Sequence, residues 1–336
     1  MNKFKFAVIG MGHIGKRHAQ MIKNNPDAEL VAAVDVNTAL KEEIETQFGC
    51  AYFSSIEELM ASDIKIDVIN VCTPNGYHAE HAIKALDRNC HVVVEKPMGL
   101  TKAACEQVIY KSLQAHKHVF CVMQNRYSPP SAWLKQVLTE ERLGKIFMAQ
   151  INCYWNRDER YYKKGGWKGT LDLDGGPLFT QFSHFLDIMY WLLGDIQDIQ
   201  ARFENFNHAY TPFEDSGSVN FKFINGGIGV LNYSTSMWDK NLESSITIIG
   251  EKGSIKVGGQ YMDKVEYCHI ENYTMPELPP SNPPNDYGAY KGSAANHHYV
   301  IENVVDTLKG KTSATTNALE GLKVVEIIER IYALKP

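Results

Sequence analysis

The chain has 336 residues, of which 44% are hydrophobic and 22% charged, a composition typical of folded globular proteins rather than disordered ones. Its net charge of -5 comes from 34 basic and 39 acidic residues spread along the sequence, so no basic stripe is present to bind a nucleic acid polymer. No apolar run is long enough to cross a membrane and no secretory signal is visible, so we expect a cytoplasmic protein of about two domains. Seven cysteines without a Cys-x-x-Cys pair favour reduced thiols.

Short apolar runs alternate with helical stretches in the first part of the chain. Strands are predicted at residues 5–9, 30–34, 68–71, 91–94 and 119–122, and helices at residues 13–24, 38–48, 77–88 and 102–115. This alternation predicts an α/β domain with a doubly wound parallel sheet of the Rossmann type over residues 1–123.

The pattern changes after residue 123. A helix at 131–140 and a strand at 145–155 lead to a glycine-rich connection at 158–176 and a buried helix at 177–193. Short strands are predicted at 199–206, 218–223, 229–236, 245–249 and 254–257, a proline-rich extended segment at 276–284, and closing helices at 296–309 and 318–333. The sequence thus predicts an α+β domain with an antiparallel sheet over residues 124–336, whose closing helices could pack back on the first domain.

A glycine turn follows the first predicted strand. In Gly10-Met11-Gly12-His13-Ile14-Gly15 the first glycine permits a tight turn, the second lets the backbone approach a pyrophosphate, and the third allows close helix–strand packing. The backbone of His13 and Ile14 opens the helix, where free N–H groups attract phosphate. These residues predict a dinucleotide site, with a plain glycine turn as the alternative.

Asp35 ends the second predicted strand, twenty residues after Gly15. A carboxylate at this place accepts hydrogen bonds from the adenosine ribose and repels a 2′-phosphate. Val36 and Asn37 follow it, with no arginine to pair with that phosphate. The cofactor predicted is therefore NAD rather than NADP.

Other polar residues end strands at the same predicted edge of the sheet. Thr73, Pro74 and Asn75 follow one strand and precede the helix that carries His78, so we expect them at the cofactor. His78 and His81 have no third partner at a metal-binding spacing, so no metal is predicted. Glu95-Lys96-Pro97 ends the next strand, where a lysine could take a proton from a substrate hydroxyl; a surface Lys–Glu pair is the alternative.

One polar stripe marks the predicted helix at 177–193. Thr180, His184, Asp187 and Trp191 are spaced to share one face of a continuous helix. His184 is either a core histidine bonded to Asp187 or a general acid/base that orients substrate.

Together these motifs resemble the glucose–fructose oxidoreductase and inositol dehydrogenase family. The motifs are residues 10–15, Asp35, residues 72–75 with His78, Glu95-Lys96-Pro97, Gln124-Asn125-Arg126, Gly175-Gly176, and His184 with Asp187. The resemblance implies a Rossmann domain, a second domain with a large open-faced sheet, and a homodimer or homotetramer formed through that sheet. It also implies that Lys96 contacts both the nicotinamide ribose and the reacting hydroxyl, with Glu95 and Gln124 at the cofactor.

A narrower resemblance is to the UDP-N-acetylglucosaminuronate 3-dehydrogenases of surface-polysaccharide synthesis. Many other family members have aspartate where Thr180 stands, and these relatives usually have arginine where Lys168 stands. The substrate residues implied are Asn125, Arg126, Arg157, Tyr161, Trp167, Lys168, Thr180, Gln181 and His184. The segment 157–168 would cover a sugar nucleotide, with a solvated basic loop as the alternative.

The resemblance and the residues together predict NAD-dependent oxidation of a secondary sugar hydroxyl, at C3 of a UDP-N-acetylhexosaminuronate, with Lys96 and His184 as catalytic residues. The alternatives are another sugar or inositol-type dehydrogenase, an NAD-dependent glycosidase of the same family, and a non-catalytic NAD-binding sensor. No membrane partner is expected.

Overall fold

The computed structural model describes residues 3–288 and 290–335, which form two compact units. The first unit contains the chain up to residue 123 together with residues 297–325. The second contains residues 124–296 and the chain from residue 326 onward. The structure thus differs from a continuous second domain, because the segment 297–325 belongs to the first unit.

The first unit is built on a six-stranded parallel sheet with the order β3-β2-β1-β4-β5-β6. Its strands are β1 (Phe4–Ile9), β2 (Ala28–Val34), β3 (Ala51–Phe53), β4 (Val68–Val71), β5 (His91–Val94) and β6 (Val119–Cys121). Its helices in chain order are α1 (His13–Asn24), α2 (Lys41–Phe48), α3 (Ile56–Ala61), α4 (His78–Asp87) and α5 (Lys102–Ala115). This is the strand order of a Rossmann fold, so the doubly wound prediction is confirmed.

Near-continuous apolar sequence explains the central strands. All four residues of β4 are buried, as are the last three of β5, because parallel strands covered on both faces exclude water. Ser55 and Thr101 are the N-cap residues of α3 and α5, and the side chain of each accepts a hydrogen bond from a backbone N–H in the first turn of its helix.

The segment 297–325 completes the edge of this sheet. The Cys121 N–H donates to the Thr316 carbonyl at 3.1 Å, and Phe120 forms an isolated bridge with Asn317. The segment begins with helix α9 (His297–Leu308) and ends within helix α10 (Ala318–Tyr332).

The second unit is built on a seven-stranded sheet with the order β13-β12-β11-β7-β10-β9-β8. The strands are β7 (Ile146–Tyr154), β8 (Ile196–Glu204), β9 (Ser216–Phe223), β10 (Ile228–Ser234), β11 (Glu243–Gly250), β12 (Gly253–Gly258) and β13 (Lys264–Ile270). A two-stranded sheet pairs β14 (Pro284–Asp286) with β15 (Lys291–Ala294). The mostly antiparallel sheet is confirmed; β10 and β7 pair in parallel.

Alternation along β7 shows why this sheet has two different faces. Ala149, Ile151 and Cys153 are buried, whereas Gln150 is exposed and Asn152 half-buried. The helices of this unit are α6 (Pro129–Thr139), α7 (Pro177–Thr180) and α8 (Ser183–Leu193). Rings at the start of α8 pack edge-on against Trp155, which follows β7.

One predicted helix is divided in the structure, and some elements were not predicted. The helix predicted at 177–193 is two helices, α7 and α8, separated at Gln181 and Phe182. The short edge strand β3, the six-residue helix α3 and the strand β13 were not predicted. Within residues 3–288 and 290–335, no helix combines the length and apolar character needed to cross a membrane.

Candidate active site

The glycine turn after β1 has the shape that a dinucleotide requires. Gly10 has φ +89°, and a Cβ there would lie 2.7 Å from the Cys72 carbonyl oxygen. A Cβ on Gly15 would lie 1.8 Å from the Gly10 carbonyl oxygen, so the helix can approach the turn only with glycine there. Gly12, the N-cap of α1, has no atom within 4 Å of where its Cβ would be. These features leave room for a pyrophosphate at the helix start, and a dinucleotide fits them.

Asp35, after β2, is bonded to that turn. Its Oδ2 accepts the Met11 N–H at 2.7 Å, and its Oδ1 accepts the Asn37 N–H at 2.9 Å. The Tyr52 hydroxyl donates to the Asp35 carbonyl at 2.6 Å, which fixes the main chain. Each carboxylate oxygen has a further lone pair that could accept a ribose hydroxyl.

The residues after β4 are held by two histidines. His78 Nδ1 lies 2.6 Å from the Pro97 carbonyl oxygen, and its Nε2 lies 2.7 Å from that of Thr73. His78 thus joins the turn after β4 to the one after β5. Burial lowers its pKa despite these acceptors. Thr73 Oγ1 also lies 3.0 Å from His81 Nδ1, while Pro74 and the buried Asn75 continue the chain into α4. Their cofactor contacts stay predictions.

Glu95 and Lys96 end β5 next to a cluster that the sequence did not reveal. The buried Glu95 carboxylate lies 2.9 Å from His18 Nε2 and 3.6 Å from His297 Nε2. The Lys96 N–H donates to its other oxygen at 3.2 Å. Lys96 itself is half-buried at the carboxyl end of the sheet, where ligands of such folds bind. The side chains of His18, Glu95 and His297 are close enough to share a metal ion. Both ring nitrogens of His18 already have hydrogen-bond partners within the protein.

In the second unit, a short 3-10 helix at Gln124–Tyr127 carries three predicted site residues. Gln124 Nε2 lies 3.3 Å from His184 Nε2, and the buried Asn296 donates to the Gln124 carbonyl at 3.2 Å. Arg126 donates to both oxygens of Asp187, at 2.9 and 2.6 Å. Arg126 therefore has an internal anionic partner, and its substrate contact stays a prediction.

The break between α7 and α8 changes the expected polar stripe. Thr180 lies in α7 and His184 in α8, so they do not share one continuous helix, and that expectation was wrong. Thr180 Oγ1 donates to the carbonyl and the carboxylate of Asp174. The Asp174 carboxylate also accepts the Gly169 N–H at 2.8 Å, while burial raises its pKa.

Two buried amides near these residues lack partners. Asn125 is 1% exposed and Gln181 3% exposed. Among the residues that the structure describes, neither amide atom of either side chain lies within hydrogen-bond distance of a partner. Because a buried amide without partners costs free energy, these groups are suited to bind hydroxyl or amide groups of a ligand.

The basic segment 157–168 is buried at Arg157, Tyr161 and Tyr162, whereas Arg160, Lys163 and Lys164 are exposed. The Arg157 guanidinium, 2% exposed, donates to the Asn156 and Lys291 carbonyls at 2.5 and 2.9 Å and stacks over the ring of Tyr161 at 5.2 Å. Lys168 Nζ donates to the Tyr290 hydroxyl at 2.9 Å. Trp167 is half-buried beside Lys168. The alternative of a solvated loop is wrong for Arg157, and the substrate roles stay predictions.

Comparison with known proteins identifies the relatives of both units. A model of the GFO/IDH/MocA oxidoreductase family with an NAD-binding Rossmann fold matches residues 4–122, and a model of the GFO/IDH/MocA C-terminal domain matches residues 132–256. The D-glucoside 3-dehydrogenase of Escherichia coli is 27% identical over 98% of this chain and 94% of its own length.

Two solved structures resemble the whole chain. The WlbA dehydrogenase of Chromobacterium violaceum in complex with NADH and UDP-GlcNAcA is 30% identical with a TM-score of 0.89, covering 99% of this chain and 94% of that one. The WlbA dehydrogenase of Bordetella pertussis, with the same ligands, is 29% identical with a TM-score of 0.87, covering 99% and 96%. The family resemblance and NAD as cofactor are confirmed.

Proposed function

The chain belongs to the GFO/IDH/MocA oxidoreductase family, and on this basis we propose that it oxidises the C3 hydroxyl of a UDP-N-acetylhexosaminuronate with NAD. The observation that carries the substrate class is the similarity over nearly the full length of both chains to two dehydrogenases solved with UDP-GlcNAcA. The unpartnered amides of Asn125 and Gln181 support a ligand rich in hydroxyl and amide groups.

The proposed chemistry needs one base and one orienting group. Bound NAD supplies the hydride acceptor. Lys96 Nζ takes the hydroxyl proton, so that loss of the proton from oxygen and of hydride from carbon leaves a ketone. His184, whose Nε2 faces the Gln124 amide, orients the sugar or assists the proton transfer. Gly10, Gly12, Gly15 and Asp35 hold the cofactor.

A second candidate substrate is an uncharged D-glucoside. Three cations of the second unit, Arg126, Arg157 and Lys168, donate to groups of the protein itself. A substrate without diphosphate or carboxylate needs none of them. The D-glucoside 3-dehydrogenase similar over 98% of this chain supports the same candidate.

The test is turnover by the purified protein with NAD, followed at the NADH absorbance band. We expect UDP-GlcNAcA to give NADH and a product lighter by two hydrogen atoms in mass spectrometry, and UDP-GlcNAc and methyl β-D-glucoside to give little. Turnover of the glucoside alone would replace the proposed substrate by the second candidate. Release of a free sugar without net NADH would identify a glycosidase, and binding without absorbance change a sensor.

Lys96→Met tests the base directly. We expect loss of turnover with nearly unchanged NAD affinity, since the glycine turn and Asp35 remain. Lys102→Met removes a neighbouring, 43% exposed lysine and serves as the matched control. Full turnover by Lys96→Met would remove Lys96 from the mechanism.

We also propose that the molecule is a cytoplasmic homodimer or homotetramer formed through the seven-stranded sheet. Ile228, Met148 and Ile249 are exposed neighbours across β10, β7 and β11. A row of exposed apolar side chains on a sheet face is typical of a subunit interface. No disulfide joins any of the seven cysteines, all of which lie within the described residues, as in reducing compartments. Sedimentation of wild type and Met148→Lys tests the interface; a wild-type monomer would contradict it.

A further inference from the structure

Four buried side chains of the first unit meet beside Lys96. They come from four elements that are distant in sequence: His18 on α1, Asn70 on β4, Glu95 after β5 and His297 at the start of α9. Their exposed fractions are 1%, 0%, 6% and 2%. Buried groups of this polarity remain stable only when they satisfy one another.

A chain of hydrogen bonds connects the Asn70 amide, through His18 and Glu95, to the backbone of Lys96. Asn70 Nδ2 lies 2.8 Å from His18 Nδ1, which therefore accepts, so that His18 Nε2 carries the proton and donates to Glu95 Oε1 at 2.9 Å. His297 Nε2 lies 3.6 Å from the same oxygen, which makes that contact electrostatic rather than a hydrogen bond. Glu95 Oε2 accepts the Lys96 N–H at 3.2 Å. Both carboxylate oxygens are thus used within the cluster.

Glu95 stays ionised in this surrounding. Burial by itself raises the pKa of a carboxyl group, but the imidazoles of His18 and His297 outweigh it and hold the pKa of Glu95 well below its usual range. Burial lowers the pKa of His297 despite the nearby Glu95 carboxylate, which raises it. The Glu95 carboxylate thus has the imidazoles of His18 and His297 as neighbours.

The position of that charge matters for Lys96. A carboxylate free to turn toward the lysine amine would stabilise the ammonium form, which cannot accept a proton. We propose that His18 and His297 are positioning residues, which hold the Glu95 carboxylate on the side of α1 and α9 and, through its bond to the Lys96 N–H, fix the lysine at the end of β5. This inference rests on the proposed role of Lys96 as the base.

Other titratable groups also lie near the Glu95 carboxylate, and all the variants compared below retain them, apart from His297 itself. The groups that interact electrostatically with Glu95 or with its histidines include Arg17 and His18 on α1, Cys72 after β4, His78 on α4 and His297 on α9. Lys96 interacts electrostatically with His78. Burial raises the pKa of Cys72 and lowers that of His78.

The test measures the lysine itself and needs no substrate. The NAD-bound protein is pulse-acetylated at a series of pH values, and mass spectrometry of the peptide that carries Lys96 gives the midpoint of its labelling. His297→Leu removes the imidazole, and His297→Asn leaves an amide too short to reach Glu95. His297→Gln places an amide nitrogen near the position of the imidazole Nε2. The adjacent, half-buried His298→Asn is the control.

We expect His297→Leu and His297→Asn to move the Lys96 midpoint upward by about half a pH unit or more, because the carboxylate loses a partner and acts on the amine. His297→Gln should restore the midpoint, and His298→Asn should leave it unchanged. With UDP-GlcNAcA as substrate, kcat of the Leu variant should fall by roughly 10-fold or more below pH 7 and recover as the pH rises.

Unmoved midpoints in folded Leu and Asn variants that still bind NAD would overturn the inference, as would a Gln variant that shifts as far as Leu. These outcomes differ from failure of the proposed function, which Lys96→Met reports by retaining turnover. A kcat lowered equally at every pH would show that His297 only supports the fold, and would also overturn the inference.

Discussion

Replacing Asp35 by alanine should weaken NAD binding through the ribose in particular. In the structure each carboxylate oxygen already accepts one backbone N–H, from Met11 and from Asn37, which leaves one lone-pair site on each for the two ribose hydroxyls. A hydrogen bond to a charged group contributes about 1.5–3 kcal/mol, so loss of two at the lower end costs about 3 kcal/mol, or roughly a 100-fold increase in Kd.

The alanine substitution also removes the acceptor for the Met11 N–H, which could loosen the glycine turn. A cofactor analogue separates the two effects. Calorimetric titration of wild type and Asp35→Ala with NAD and with its 2′-deoxyadenosine analogue forms a cycle that isolates the bond to one hydroxyl. Wild type should bind the analogue about 10-fold more weakly than NAD, whereas the variant should bind both equally.

The exposed Asp63 gives a matched control, since Asp63→Ala removes a carboxylate of the same unit away from the glycine turn. If Asp35→Ala weakened the binding of NAD and of the analogue by the same factor, the proposed hydrogen bond from Asp35 to the ribose would be refuted. That result would mean that Asp35 acts by shaping the turn at Met11 and that the ribose takes its hydrogen bonds elsewhere.

Two further predictions concern stability. Asp187→Asn should lower the free energy of unfolding of the second unit by about 3–5 kcal/mol in urea denaturation, because it leaves Arg126, whose side chain is 1% exposed, without its carboxylate partner. The exposed ion pair Glu57–Lys84 provides the control, and Glu57→Gln should lower the free energy of unfolding by under about 1 kcal/mol. Burial lowers the pKa of His81 to about 4 in the folded state, below its unfolded value of about 6.5, so stability is lost as the pH falls between these values. The loss should be about 1–2 kcal/mol for a half-buried ring, and His81→Gln should remove it; an unchanged pH slope would contradict this.

The first unit was largely predictable because its signals are local. The glycine turn, α1 and the strands β4 and β5 follow from apolar runs and turn residues close in sequence. The helix α3 also had a local signal, since the Ser55 side chain accepts the Glu58 N–H while the Glu58 carboxylate accepts the Ser54 N–H. The three-residue edge strand β3 had none.

What the sequence could not show are partners distant along the chain. His297 meets Glu95 and His18 only because α9 returns to the first unit. The parallel pairing of β10 with β7 likewise joins strands about 80 residues apart. Periodicity predicts which face of an element is buried but not which side chain it will meet.

The return of residues 297–325 to the first unit has a consequence for synthesis of the chain. The ribosome releases β1 to β6 early, but the main-chain partner of Cys121 at Thr316 and the imidazole of His297 emerge only after residues 124–296 of the second unit. The cofactor-binding unit therefore begins folding first but is completed only after most of the second unit has emerged. A truncated chain that ends before residue 297 would carry every motif of a dinucleotide site and still lack the edge and the buried contacts that hold it together.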